Sequence, residues 1–272
     1  MRTITTPQML KGIKIVASSP PISKKLSSAE YKALLGETIF TKPSGFELST
    51  KAFGKKRSKE VVTQIYLHHT AGHQRADKGE KTVRTFNNRA IEKNHGSTHA
   101  VIDKNGHLEE LIPWDYIAYG QGVTGAYKKF GFSYNTVGMS IEIMALGYMK
   151  KKSSDGQFWE RGDIQIPISE GAPGVDFNLN PIEYKGYPAY QKYTNAQING
   201  TIEWIKKWKN YFNIQWTFNE KTYKEMFPKK GTLSAAATSN TPGVYSHNSV
   251  NTGKSDVFPQ KELIIALKEA FK

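Results

Sequence analysis

The feature that most constrains the fold is an apolar strand, residues 61–72, that ends in two histidines, a threonine and a glycine. Side chains alternate between the two faces of a strand, so His69 shares a face with Ile65 and Leu67, whereas His68 lies on the opposite face. We therefore expect His69 to pack inward and His68 to point toward a site.

The chain has 272 residues, enough to bury a substantial core, and contains no cysteine. Disulfide bonds, thiolate metal sites and cysteine nucleophiles are thereby excluded, and any transition-metal site must use histidine and carboxylate ligands. No apolar run approaches the ~20 residues that span a bilayer. The N-terminal residues lack the apolar core of a secretory signal peptide, so we expect no transmembrane segment and no signal peptide.

The formal net charge is +14, from 38 Lys and Arg against 24 Asp and Glu. Such a surplus favours polyanionic partners, namely nucleic acid, an anionic membrane or an acidic cell wall. The lysines are scattered in short runs, and no zinc-finger or RNA-recognition motif accompanies them. General attraction to anionic polymers is therefore expected, whereas nucleic-acid recognition is not supported.

Periodicity and turn residues divide the chain into an N-terminal arm, residues 1–60, and one α/β domain, residues 61–272. The sequence does not indicate the role of the arm. The expected elements are helices at 27–35, 83–91, 194–212 and 261–271, a hairpin at 99–112, a strand at 137–143, and long polar loops at 148–193 and 217–241.

Two further residues are candidates for a metal site, because His247 and Asp256 lie nine residues apart in a polar segment. With His68 they supply two imidazoles and one carboxylate, a ligand set that holds catalytic zinc and leaves a fourth position open. No spacing rule joins residue 68 to residue 247, so a surface loop remains the alternative. Glu142 interrupts an otherwise apolar strand. A charged residue there is either a catalytic group or a structural carboxylate with a charged partner.

Ordered blocks of this sequence resemble the zinc-dependent N-acetylmuramoyl-L-alanine amidases, which include peptidoglycan-recognition proteins and amidase-type phage lysins. The blocks are residues 65–72, 96–106, 135–143 and 247–256, with Thr194-x-x-Gln197 opening a helix before the last. The resemblance covers residues 61–259 and implies a central mixed β-sheet flanked by helices, with a zinc site at one face of the sheet.

The resemblance implies one zinc ion held by His68, His247 and Asp256. It makes Glu142 the general base and Lys254 a cation beside the scissile carbonyl. Zinc would lower the pKa of a bound water to about 7. Glu142 would pass the proton to the leaving amine, and Lys254 would stabilise the oxyanion. The bond cut would join N-acetylmuramic acid to L-alanine.

The residues expected at the substrate are His69, Thr70, Thr98 and Tyr119, although strand parity favours a core role for His69. Two positions depart from the family. Thr98 stands where some phage relatives carry a catalytic tyrosine. Residues 119–122 replace a Trp-His pair that contacts substrate in many relatives.

The expected partners are bacterial peptidoglycan and anionic cell-wall polymers, and the oligomeric state is not indicated. The expected setting is a phage lysin that leaves the host cytoplasm through a separate pore, or a virion-associated wall-degrading enzyme. The alternatives are a non-catalytic peptidoglycan-binding module and a structural virion component that keeps an amidase fold.

Overall fold

A computed structural model describes residues 53–71, 96–122 and 126–272. The chain divides into two units, Met1–Phe46 and Glu47–Lys272, and every described residue belongs to the second unit. The helices expected at 27–35 and 83–91 lie outside the described residues. The second unit begins before residue 61, the domain boundary predicted from the sequence.

The described strands, in chain order, are β1 (Phe53–Lys56), β2 (Gln64–His69), β3 (Ala100–Ile102), β4 (Leu108–Glu110), β5 (Tyr116–Ala118), β6 (Gly138–Ile143), β7 (Tyr148–Met149), β8 (Lys151–Lys152), β9 (Phe158–Arg161), β10 (Ile164–Pro167), β11 (Gly171–Ala172), β12 (Gly174–Val175), β13 (Pro181–Ile182), β14 (Ala189–Gln191) and β15 (Gly243–Ser246). The described α-helices are α1 (Ala126–Phe130), α2 (Tyr134–Val137), α3 (Asn195–Tyr211), α4 (Glu220–Met226), α5 (Ala235–Thr238) and α6 (Lys261–Ala270).

The central sheet has five strands in the order β15-β2-β6-β3-β4. The first four run parallel, and β4 pairs with β3 in the antiparallel sense. All six residues of β2 are buried, as is typical of a parallel strand that is covered on both faces. The mixed sheet expected from the family resemblance is thus confirmed.

The hairpin expected around Asn105-Gly106 is formed by β3 and β4. Asp103 Oδ1 accepts hydrogen bonds from the backbone N–H groups of Asn105 and His107, each at 2.9 Å. Gly106 has φ +78°, and a Cβ there would lie 2.7 Å from the Ala196 carbonyl oxygen. Glycine is therefore required both by the turn and by the close approach of helix α3.

Helices α3 and α6 are the two long helices that periodicity predicts. A capping box starts α3, in which the Thr194 hydroxyl accepts from the Gln197 N–H and the Gln197 side chain accepts from the Thr194 N–H. The buried face of α3 comprises Gln197, Ile198, Thr201, Ile202, Trp204, Ile205 and Trp208. Among the described residues, no helix combines the length and apolarity needed to cross a membrane.

The prediction of long loops at 148–193 is wrong, because this segment contains the eight short strands β7–β14. They form three small sheets, ordered β11-β14-β7, β10-β9-β8 and β12-β13. Most are two residues long, too short for alternation to be visible in the sequence. Residues 217–241 likewise contain α4 and α5, whose first turns are capped by the side chains of Asn219 and Ser234.

Candidate metal centre and active site

Three of the expected site residues lie at the carboxyl ends of neighbouring parallel strands. His68 is the penultimate residue of β2 and stands in register with Glu142 of β6. His247 directly follows β15, whose last residue Ser246 is in register with Leu67. Ligand sites of α/β sheets form where the carboxyl ends of strands meet, so the topology places these groups together.

Asp256 completes the cluster from the loop that follows β15. Its Oδ2 atom lies 3.0 Å from His247 Nδ1 and 3.4 Å from His68 Nδ1. The ligand atoms of the three residues all lie within 4.8 Å of one another, and all three residues are buried. The His247-to-Asp256 loop is closed by the Asn248 N–H, which donates to the Asp256 carbonyl at 3.0 Å.

Electrostatics favours the protonation states that bind a metal. Burial, together with the neighbouring His247, lowers the pKa of His68 to about 4 against the opposing effect of Asp256. Burial alone raises the pKa of Asp256, but His247 and the hydrogen bonds from both imidazoles hold that pKa well below its usual range. Near neutral pH the cluster therefore offers an uncharged His68 ring and an ionised carboxylate.

The geometry fits a small divalent cation with nitrogen and oxygen ligands. Tetrahedral zinc with bonds of about 2.1 Å separates its ligand atoms by ~3.4 Å. The two Nδ1-to-Oδ2 distances of 3.0 and 3.4 Å are close to that spacing. His68 Nε2 and Glu142 Oε2 are buried and lack hydrogen-bond partners in the part of the chain that the structure describes.

Glu142 lies beside the cluster in a low-dielectric position. Burial, reinforced by the charge of Asp256, raises the pKa of Glu142 well above its usual range, and Lys254 partly opposes this shift. A bound divalent cation would act in the same direction as Lys254 and lower the pKa again. Lys254 is exposed, and its charge also lowers the pKa of His68. Proton transfer by Glu142 stays a prediction.

The four residues expected at the substrate have different environments. His69 is buried, and its Nδ1 lies 3.1 Å from the Tyr193 hydroxyl. Thr98 is buried and donates to the Ser140 carbonyl at 3.0 Å. Thr70 is half-buried, with its hydroxyl 3.3 Å from the Ala145 carbonyl oxygen. Tyr119 is 42% exposed. Their contact with substrate stays a prediction.

Two groups support the site without a recognisable signal in the sequence. The Gln121 carbonyl oxygen lies 3.0 Å from His247 Nε2, within the stretch 119–122 that departs from the family and contains the substrate candidate Tyr119. Arg57 lies in the segment predicted as an N-terminal arm. Its Nη1 donates to the backbone carbonyls of Asn135 at 3.0 Å and Gly138 at 2.9 Å, at the start of the strand that carries Glu142.

Fold and site together define an α/β protein with a candidate two-histidine, one-aspartate metal centre at the carboxyl edge of a mixed sheet. Residues 58–257, well over half of the chain, match the family model of N-acetylmuramoyl-L-alanine amidase. The chain belongs to the N-acetylmuramoyl-L-alanine amidase family. No curated protein sequence matches it.

Several solved structures are similar to this chain. N-acetylmuramoyl-L-alanine amidase LysC from Clostridium intestinale URNW is 15% identical, with 82% of this chain and 96% of that chain covered and a TM-score of 0.40. The Ph2119 endolysin from Thermus scotoductus MAT2119 bacteriophage Ph2119 is 12% identical, with 81% and 92% covered and a TM-score of 0.40. Staphylococcus aureus hydrolase AmiA is 14% identical, with 79% and 78% covered and a TM-score of 0.41.

Proposed function

We propose that this chain is a zinc-dependent hydrolase that cleaves the amide bond between N-acetylmuramic acid and L-alanine in bacterial peptidoglycan. The observation that carries the proposal is the convergence of His68, His247 and Asp256 beside Glu142, whose Oε2 atom is buried, within the segment that matches the amidase family.

In the proposed mechanism His68, His247 and Asp256 would hold one zinc ion, which would supply Lewis-acid chemistry by polarising a carbonyl and activating water near neutral pH. Glu142 accepts the proton of the attacking water and delivers it to the departing amine, since it lies opposite His68 on the adjacent strand. Lys254 stabilises negative charge that develops on the carbonyl oxygen, a contribution of about 3 kcal/mol for one well-placed donor.

The proposed partners are the peptidoglycan strand and the anionic polymers of the cell wall. The net charge of +14 supports the second partner, because a cationic surface concentrates the protein on a polyanionic wall at low ionic strength. The setting we propose is that of a phage lysin or a virion-associated wall-degrading enzyme, in keeping with the resemblance to amidase-type phage lysins.

The decisive experiment measures zinc content and the release of new L-alanine amino termini from purified peptidoglycan. The wild type is expected to hold one zinc per chain and to release amino termini. Asp256→Ala is expected to lose both properties, because it removes the carboxylate that faces both imidazoles. Asp163→Ala changes an exposed aspartate in the turn between β9 and β10 and serves as the matched control.

Two results would contradict the proposal. A wild type without zinc would refute the metal centre. A wild type that holds one zinc but releases no amino termini from several wall types would refute the hydrolase, and binding of that protein to the same walls would then identify it as a peptidoglycan-binding module.

A further inference from the structure

His247 has a second hydrogen-bonding nitrogen, and its partner determines which nitrogen is available to a metal. Nε2 lies 3.0 Å from the backbone carbonyl oxygen of Gln121, which only accepts hydrogen bonds. Asp256 Oδ2, 3.0 Å from Nδ1, is also an acceptor only. A cation bound between Nδ1 and Asp256 would take the Nδ1 lone pair, and the ring proton would then be on Nε2, where the Gln121 carbonyl accepts it and stabilises the metal-binding tautomer.

Gln121 itself lies outside the helices and strands, between β5 and α1, so no strand ladder holds its carbonyl in place. Its backbone N–H donates instead to the side-chain oxygen of Asn135, at a distance of 2.9 Å. Gly122 follows with φ +57°, which turns the chain away immediately after the carbonyl. Both backbone polar groups of Gln121 are therefore engaged, the N–H by Asn135 and the carbonyl by His247.

Asn135 is anchored independently of the metal cluster. It belongs to helix α2, which leads directly into β6. Arg57 Nη1 donates to the backbone carbonyls of Asn135 and Gly138, at 3.0 and 2.9 Å. Through its side chain Asn135 therefore connects the start of the strand that carries Glu142 to the loop that orients His247.

We propose that Asn135 is a positioning residue of the metal centre. It acts through the Gln121 backbone to hold the His247 ring in the orientation and tautomer that bind zinc through Nδ1, and it contacts neither metal nor substrate. This inference rests on the proposed metal centre. Loss of a partner that orients a ligand typically weakens metal affinity by about 10–100-fold.

The test measures the zinc affinity of the full chain by competition with a chromophoric chelator, together with thermal unfolding. Asn135→Ala removes the acceptor and is expected to weaken zinc binding by about 10–100-fold. Asn135→Asp keeps an oxygen at the same position and is expected to restore affinity to within about threefold of the wild type. Asn240→Ala is the matched control, because Asn240 is also half-buried and accepts from Thr63 at 2.7 Å, away from the metal ligands.

Three results would overturn the inference: wild-type affinity in Asn135→Ala, equal loss in Asn135→Ala and Asn135→Asp that follows their unfolding temperatures, or equal loss in Asn240→Ala. A wild type that binds no zinc refutes the metal centre and this inference together. The expected pattern of affinities in a protein that releases no amino termini supports the inference and refutes only the hydrolase.

Discussion

At the residue scale, the adjacent histidines His68 and His69 have the same charge but point in different directions. Burial is the main cause that lowers the pKa of each to about 4, so both rings are neutral near pH 7. His68 faces the Asp256 carboxylate at 3.4 Å, whereas His69 faces the Tyr193 hydroxyl. Strand parity predicts this division, because consecutive side chains point to opposite faces of the sheet.

Substitution of the two histidines should therefore have different effects. His68→Ala removes a proposed metal ligand and is expected to abolish stoichiometric zinc binding. His69→Ala is expected to retain zinc and to lose about 1–3 kcal/mol of stability, because the buried Tyr193 hydroxyl loses one of its two partners and keeps only the Phe258 N–H. Zinc analysis and urea unfolding of both variants test this. Loss of zinc in His69→Ala with retention in His68→Ala would reverse the ligand assignment.

Glu142 gives a second prediction at this scale. Glu142→Gln keeps the shape of the side chain and removes its ability to accept and return a proton. We expect the variant to hold one zinc and to lose about 10²–10⁴-fold in turnover. Amine release at saturating peptidoglycan is the measurement, with Glu203→Gln on the exposed face of α3 as the control. Unchanged turnover would show that another group is the base.

At the element scale, the accuracy of prediction from sequence follows the length of each element. Strand β2, the β3–β4 hairpin and helices α3 and α6 carry their own signals, which are alternation, an Asn-Gly turn and an apolar stripe. Most strands within 148–191 lack such signals because they are only two residues long, and β7 also pairs with a distant partner, Met149 with Ala189 of β14. Residue chemistry indicates His68, His247 and Asp256 as candidate metal ligands, but only the family resemblance joins them in one site, because His68 and His247 meet through sheet topology.

Glu110 of β4 and Lys207 of α3 are half-buried groups of opposite charge whose interaction sequence did not indicate. Burial raises the pKa of Glu110 to about 7 and lowers the pKa of Lys207 to about 8, and each group partly offsets the other. Trp114 Nε1 donates to Glu110 at 2.9 Å, and Lys207 Nζ lies 4.7 Å from the centre of the Trp204 ring.

Lys207→Met should change stability in a pH-dependent direction. The raised Glu110 pKa gives a stabilisation that is complete below pH 4.5 and is lost as the pH rises through 7. The lowered Lys207 pKa gives a stabilisation that is complete above pH 10.5 and is lost as the pH falls through 8. The variant should therefore match or exceed the wild type at pH 5, where only the lysine is charged.

At pH 8 the same variant should be less stable than the wild type, because Glu110 is then ionised without its neighbouring cation. The change in relative stability between the two pH values should be on the order of 1–2 kcal/mol. Urea unfolding of both proteins at pH 5 and pH 8 is the measurement. Equal differences at the two pH values would contradict the assignment, and Lys206→Met, on the adjacent half-buried lysine that pairs with Glu203, is the control.

At the scale of the whole molecule, the folded unit extends beyond the segment that matches the family. The match begins at residue 58, but β1 pairs with β5, and Arg57 donates to three carbonyls at the start of β6, those of Asn135, Thr136 and Gly138. Local sequence could not reveal this role, because Arg57 follows Lys55 and Lys56 in a basic run typical of a solvated surface. Its partners lie 78 to 81 residues away.

Truncation tests how much the family segment depends on this N-terminal strand. A chain that begins at Glu47 keeps the whole second unit, whereas a chain that begins at Ser58 loses β1 and Arg57. Each charge-assisted hydrogen bond contributes about 1.5–3 kcal/mol, so the shorter chain should unfold at a temperature lower by about 10 °C. Calorimetry of both chains, with Arg57→Met in the longer one, is the measurement. Equal unfolding temperatures for all three proteins would mean that the amidase segment is stable without these contacts. If Arg57→Met lowers the unfolding temperature nearly as much as the truncation does, most of the effect belongs to the guanidinium group.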